Sequence, residues 1–456
     1  MIQLFLVLCG SRPVRERCWM LFALGALWMF IGGFLFGDAL DGSLVFPITY
    51  YTIPLAFDGA WAFASFPSRL GGGRAMCLMK GTACLLVILL ILFAPARHSG
   101  MVIGILAGLF LCPDALWRGA SAWVVRYDGW RCGLLLAATE FLFGVWSFVP
   151  WPTAWEGQAG IDVGTLLLIS AFTVCVQALR ISRLPPGVSV LSALHRGEKA
   201  LLVDLDDGEP DTRETAIVHV WTPTGSMVPV NRGVSRYVAA VDRNGVVSTG
   251  HAALELAPDV YISHYPAVEI DRSGAEFAGI LRAVPDNNVP GLFQPSYAQE
   301  SADWCPSTVR VLMPGLNGRG VRRFRQEYCE DTTYNLTGRN CASAVAKALD
   351  VGLDGLFADK IRSPLFLLHL MLSPELRVAG FLRHRAAAMA WTPGIVLDYA
   401  RTLRHLIIAL GDAPREPGAE NASVPTTVRE DISEQRPRTA GAENFRATTT
   451  ERKGRT

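Results

Sequence analysis

Six apolar runs follow one another in the first part of the chain, at about residues 18–36, 44–65, 80–95, 100–118, 132–150 and 161–179. Each comes near the ~20 residues that an α-helix needs to cross the hydrocarbon of a bilayer. The third is the shortest. One such run is compatible with a buried helix of a soluble protein, but six in succession predict an α-helical membrane domain of six transmembrane helices. Lys and Arg in the segments between the runs set the orientation. One side carries Arg12, Arg15, Arg17, Arg69, Arg74, Lys80, Arg118, Arg126, Arg131, Arg180 and Arg183, and the other carries Arg97 alone. Both termini, and everything after residue 180, are therefore expected in the cytoplasm. Residues 1–9 are apolar but too short to span, lack a basic leader, and read as interfacial.

Asp58, Asp114 and Glu140 fall within the spans or near their ends, where a carboxylate is costly and often functional. Arg118, four residues after Asp114, offers that carboxylate a partner on the same helix. Asp58-Gly-Ala-Trp61 and Asp114-Ala-Leu-Trp117 sit at similar places in the second and fourth runs. That spacing suggests three hairpin repeats over residues 1–184. With its small-residue patterning, this part of the chain resembles the HdeD family of six-helix bacterial membrane proteins linked to acid resistance. The resemblance implies a bacterial inner-membrane location.

The remainder has a soluble composition. The net charge of +1 gives no reason to expect a nucleic-acid partner. None of the ten cysteines forms a CxxC pair, so a zinc ribbon is not expected and a reducing compartment fits. Residues 185–213 read as a linker opened by Pro185-Pro186-Gly187. Strands are predicted at 216–221, 237–241, 246–256, 260–265 and 308–314, with an Asn244-Gly245 hairpin turn between the second and third. An even-length loop between the strands at 246–256 and 260–265 puts His251 and His264 on one face, and an odd loop separates them. Four arginines at 319–325 belong to a helix or long turn and suit either phosphates or solvent. Amphipathic stretches at 374–385 and 395–410 suit an anionic leaflet, a partner domain or packing on the core of the 214–350 domain. Residues 351–410 are thus read as a helical extension and 411–456 as a disordered tail.

The chemistry is expected around Cys341. Gly338 breaks any preceding helix, and the small residues after Cys341 favour one, so the thiol should sit in a helical first turn. Unpaired N–H groups there favour thiolate. The order His251, His264, Asn340-Cys341 resembles the lecithin:retinol acyltransferase group, a circularly permuted NlpC branch of the papain-like fold. The resemblance covers about residues 214–350, which it implies form an α+β papain-like domain. It implies His251 as general base, His264 as orienting third member and Cys341 as nucleophile. Ala252 stands where that group has an aromatic residue, and Ala342 and Ser343 stand where it has an acid. The N–H groups opening the helix, at Asn340 and Ala342, are the expected oxyanion donors. Glu255 or Asp259 is an alternative third member, His219 a rival base, and Cys305 and Cys329 rival thiols. No Walker loop, dinucleotide fingerprint, HExxH or paired metal cluster occurs, so no cofactor or metal is expected. The expected function is a membrane-tethered cytoplasmic thiol hydrolase or acyltransferase acting on a lipid ester or amide, or on a peptide or isopeptide bond. Its partners would be the lipid bilayer and that substrate. The alternative is a non-catalytic membrane stress-response protein whose second half is a binding module.

Overall fold

The computed structural model describes residues 1–41, 45–69, 71–185, 188–194, 212–222, 240–241, 247–248, 250–268, 270 and 277–411. The Asn244-Gly245 turn, most of the linker and the tail lie outside them. The first part is helical throughout. Cys18–Leu40, Gly72–Phe93, Arg97–Val125 and Gln158–Ser182 are long and apolar enough to cross a bilayer. Thr52–Ser65 and Trp130–Trp146 have 14 and 17 residues. At 1.5 Å per residue they extend about 21 and 26 Å, short of the roughly 30 Å of hydrocarbon.

The helices do not pair as three successive hairpins. Thr52–Ser65 packs on Gly72–Phe93, Ala96–Val125 packs on Trp130–Trp146, and the first long helix pairs with the last. Small residues explain the last pairing. A Cβ on Gly164 would stand 2.8 Å from the Phe36 nitrogen and 2.9 Å from the Gly32 oxygen, so only glycine lets these backbones approach.

The second part is α+β. Strands β1 (Arg213–Trp221), β4 (His251–Leu256), β5 (Val260–Ile262) and β8 (Val309–Asn317) form an antiparallel sheet in the order β5-β4-β1-β8. Short strands β2 (Ala240–Val241) and β3 (Val247–Ser248) pair separately, so the strand expected at 246–256 is interrupted before His251. The break includes Gly250, whose φ of 70° is open to glycine at little cost. A third sheet joins β6 (His264–Pro266), β7 (Val289–Phe293) and β9 (Thr333–Tyr334) in the order β6-β7-β9.

The main core lies on one face of the four-stranded sheet. Val218, Leu254 and Ile262 meet Val345 and Leu349 of the helix Cys341–Gly352, and Val396 and Leu403 of Pro393–Leu410. Two expectations are corrected here. Pro393–Leu410 is part of the domain core, so that core runs past residue 350. The helix Ile2–Cys9 is not interfacial either: Leu4, Val7 and Leu8 are buried in the same core, and Val7 and Leu8 accept backbone bonds from Gly355 and Phe357. Eight apolar residues carry no signal that separates a membrane surface from a protein groove. The linker also begins docked, with Ser189 donating to Asp354 and Leu191 in the core.

Candidate active site

The helix Cys341–Gly352 starts where the sequence puts it. Asn340 is its N-cap: the side-chain oxygen accepts from the Ser343 N–H at 2.7 Å, and the Ser343 hydroxyl takes the Asn340 N–H at 2.8 Å. The Asn340 amide also donates to the Leu336 and Trp391 carbonyls, at 2.7 and 3.0 Å. Its side chain and N–H are both engaged, which leaves Asn340 no donor for an oxyanion. Ala342 does present its N–H to the Cys341 sulfur, and so does Ala252 of β4.

The sheet has a split at this point. Strand β5 ends at Ile262, and β6 turns away to pair with β7. Ala252 lies beyond the paired residues of β4 and β5, and the thiol occupies the vacated edge. The register explains which groups gather there. Leu254 pairs with Ile262, Glu255 with Tyr261 and Leu256 with Val260, so the connection is the three residues Ala257, Pro258 and Asp259. An odd loop puts Tyr261, Ser263 and Tyr265 on the face of His251, and His264 on the other.

The contacts agree. The His251 ring stacks on Tyr265 with centroids 4.0 Å apart. Its Nε2 lies 2.8 Å from the Ser263 hydroxyl and 3.3 Å from a Glu300 carboxylate oxygen. Nδ1 makes no hydrogen bond among the described residues. His264 stacks on Phe293 at 4.4 Å and packs edge-on against Tyr328 and Tyr334. It makes no hydrogen bond to His251, so the orienting role does not fall to it.

Glu300 is the carboxylate that faces the His251 Nε2. It is buried in the first turn of the helix Tyr297–Asp303 and accepts from the hydroxyls of Tyr261 at 2.5 Å and Tyr265 at 2.7 Å. Burial, reinforced by the Glu300 charge, raises both tyrosines and keeps them donors. One sequence signal was available: Ser296 and Gln299 have the spacing of a helix start, and the Ser296 hydroxyl does accept from the Gln299 N–H. The fact that the helix folds back over His251 has no local signature.

The alternatives have other partners. His219, buried on β1, joins the Ser307 hydroxyl at 3.1 Å and Glu255 at 2.9 Å, and stacks on Tyr297 at 4.0 Å. Asp259 and Glu214 are held by the fork of Arg322, and Arg325 donates to the Tyr261 carbonyl. These two arginines of the 319–325 run therefore brace the domain. Cys305 lies beside Trp221, which donates to its carbonyl, and Cys329 sits at the far end of the helix Gly318–Glu330.

Electrostatics correct one further expectation. Cys341 is 7% exposed. Burial pushes its thiol up to about 11, against the opposing pull of the Ala252 and Ala342 N–H groups. Burial pushes His251 down to about 3, helped by the charge of His264, and His264 down to about 4. Desolvation outweighs the helix start, so the thiol and the two imidazoles all rest neutral. Comparison with protein-family models, curated proteins and solved structures finds no match to this chain.

Proposed function

We propose that the protein is a thiol hydrolase or acyltransferase anchored in the bacterial inner membrane by six spans, with its α+β domain in the cytoplasm. This is the reading to which the resemblances to HdeD proteins and to the permuted NlpC group point. The observation that supports it best is the split in the sheet. There a helix-opening cysteine meets the strand of a histidine whose outer nitrogen is already held by Ser263 and Glu300.

With Nε2 engaged, Nδ1 is the nitrogen that takes the proton from Cys341. The sulfur then attacks a carbonyl carbon, and the Ala342 N–H stabilises the oxyanion. The tetrahedral intermediate collapses to an acyl-thioester as His251 returns the proton to the leaving group. Water, or an amine or alcohol, then attacks the thioester and frees the thiol. Glu300 stabilises the imidazolium that forms in between. A lipid ester or amide is the favoured substrate class because the helical half holds the site at a membrane surface.

The test is mass spectrometry of Cys341 after incubation with an acylating probe. An acyl adduct on Cys341 that disappears in His251→Ala and falls strongly in Glu300→Gln is expected. Equal indifference of Cys305, Cys329 and Cys341 would instead support the second reading, a non-catalytic binding module. The neutral resting states of Cys341 and His251 are the observation in favour of that module.

A further inference from the structure

The helix Pro374–Ala388 has two charged faces, and they grip different halves of the molecule. Towards the helical half, Arg377 forks onto Asp58 with both bonds at 3.1 Å, and Lys80 joins the same carboxylate at 2.6 Å. Eight residues on, Arg385 pairs with Asp114, which also holds Arg118 at 3.0 Å, and Arg118 reaches Glu140 at 3.1 Å. These are the two aspartates of the repeated sequence. Each hairpin therefore offers its carboxylate to one arginine of a single helix.

Further contacts seal the junction. Trp117 donates to the Met389 sulfur at 2.8 Å, Lys80 donates to the Leu372 carbonyl at 2.7 Å, and Arg69 meets Glu375 at 3.5 Å with both side chains buried. Towards the α+β half, the buried Arg383 donates to Asp350 at 2.8 Å, near the end of the Cys341 helix. Just past the helix, the Trp391 carbonyl accepts from Asn340, the cap at the start of that same helix. One segment thus holds both ends of the Cys341 helix and both repeated aspartates.

We infer that Pro374–Ala388 is a bracket through which the helical half positions the Cys341 helix and keeps its thiol covered. Asp58, Asp114, Arg377 and Arg385 are then positioning residues, and the helical half is a working part of the thiol site as well as its anchor. Loosening either aspartate–arginine pair frees Met389 and Trp391, weakens the hold on Asn340, and lets the first turn of the Cys341 helix open. Whether Cys341 is a catalyst does not enter, because the readout is access to the sulfur.

The experiment uses the full-length protein in membranes and measures iodoacetamide alkylation of Cys341 by peptide mass spectrometry. Cys305 and Cys329 of the same molecule serve as internal references. Arg385→Gln and Asp58→Asn should each raise the Cys341 rate roughly tenfold, the factor for losing one charge-assisted hydrogen bond from an opening equilibrium, with both references unchanged. Arg385→Lys, which keeps the charge, should return most of the protection. The inference is overturned if Cys341 gains no more than the references. A general loss of fold, which exposes all three thiols together, gives that result. It is equally overturned if Arg385→Lys behaves as Arg385→Gln.

Discussion

The two halves of this molecule bury opposite kinds of residue. In the helical half the large side chains face outward, as Phe93 at 82% exposure and Phe172 at 64% illustrate, while glycine and alanine line the helix contacts. In the α+β half the large apolar groups are inside, and arginines and carboxylates cover or brace the rest. The same demand, that apolar surface avoid water, gives both patterns when one half is solvated by lipid and the other by water. A helix contact in lipid gains little from burying Leu or Phe, so it relies on close backbone approach. A soluble core relies on apolar area and tolerates a buried charge only when it is paired.

Three substitutions or conditions separate these regimes. The largest effect should come from Asp350→Ala, which takes the carboxylate from the buried Arg383 and removes an acceptor from Tyr399. A loss of about 3–5 kcal/mol is expected for breaking such a pair, read as a much earlier thermal transition of the α+β half. A change under about 1 kcal/mol would mean that this interior is wetter than its packing implies. Gly164→Leu should rank next. It forces a side chain against the Phe36 and Gly32 backbones and should cost the first and last long helices about 1–3 kcal/mol. In detergent it should lower the melting temperature of the helical half, while the outward-facing Phe172→Ala leaves it nearly unchanged. If the phenylalanine change proves the more damaging, the contrast between the halves has been drawn backwards.

A third effect, no larger than that of the Gly164 change, should come from mild acid. His251 and His264 are held down to about 3 and about 4, against 6.5 for the unfolded chain. Below about pH 6.5 the unfolded chain therefore takes up protons that the folded chain refuses, and stability declines as pH falls from there. Denaturant midpoints at about pH 7.5 and about pH 5.5 should shift downward for the α+β half. Replacing His251 with Gln should flatten that slope.

Particular residues explain what could be read in advance. The long apolar helices announce themselves because ~20 residues of hydrocarbon-crossing length is itself a signal. The start of the Cys341 helix was equally plain, since Gly338 and Asn340 act locally. The histidine geometry was not, because it turns on whether Pro258 sits in a two-, three- or four-residue loop, and each fits the composition. Only the three-residue loop sends His264 to the far face. Glu300, and the arginines that answer Asp58 and Asp114, stayed hidden for a different reason: their partners lie tens to hundreds of residues away. The repeated aspartates were visible, but the helix that joins them was not.

The burial of Ile2–Cys9 among strands that begin at Arg213 has a bearing on how the chain is made. At ribosomal speeds of about 5–20 residues per second, this greasy segment waits on the order of ten seconds or more before its groove exists. Throughout that wait the intervening helices are entering the bilayer. Closure of the α+β core thus waits for residues 213–410, and it joins Ile2–Cys9 to them only after the intervening helices have been synthesised.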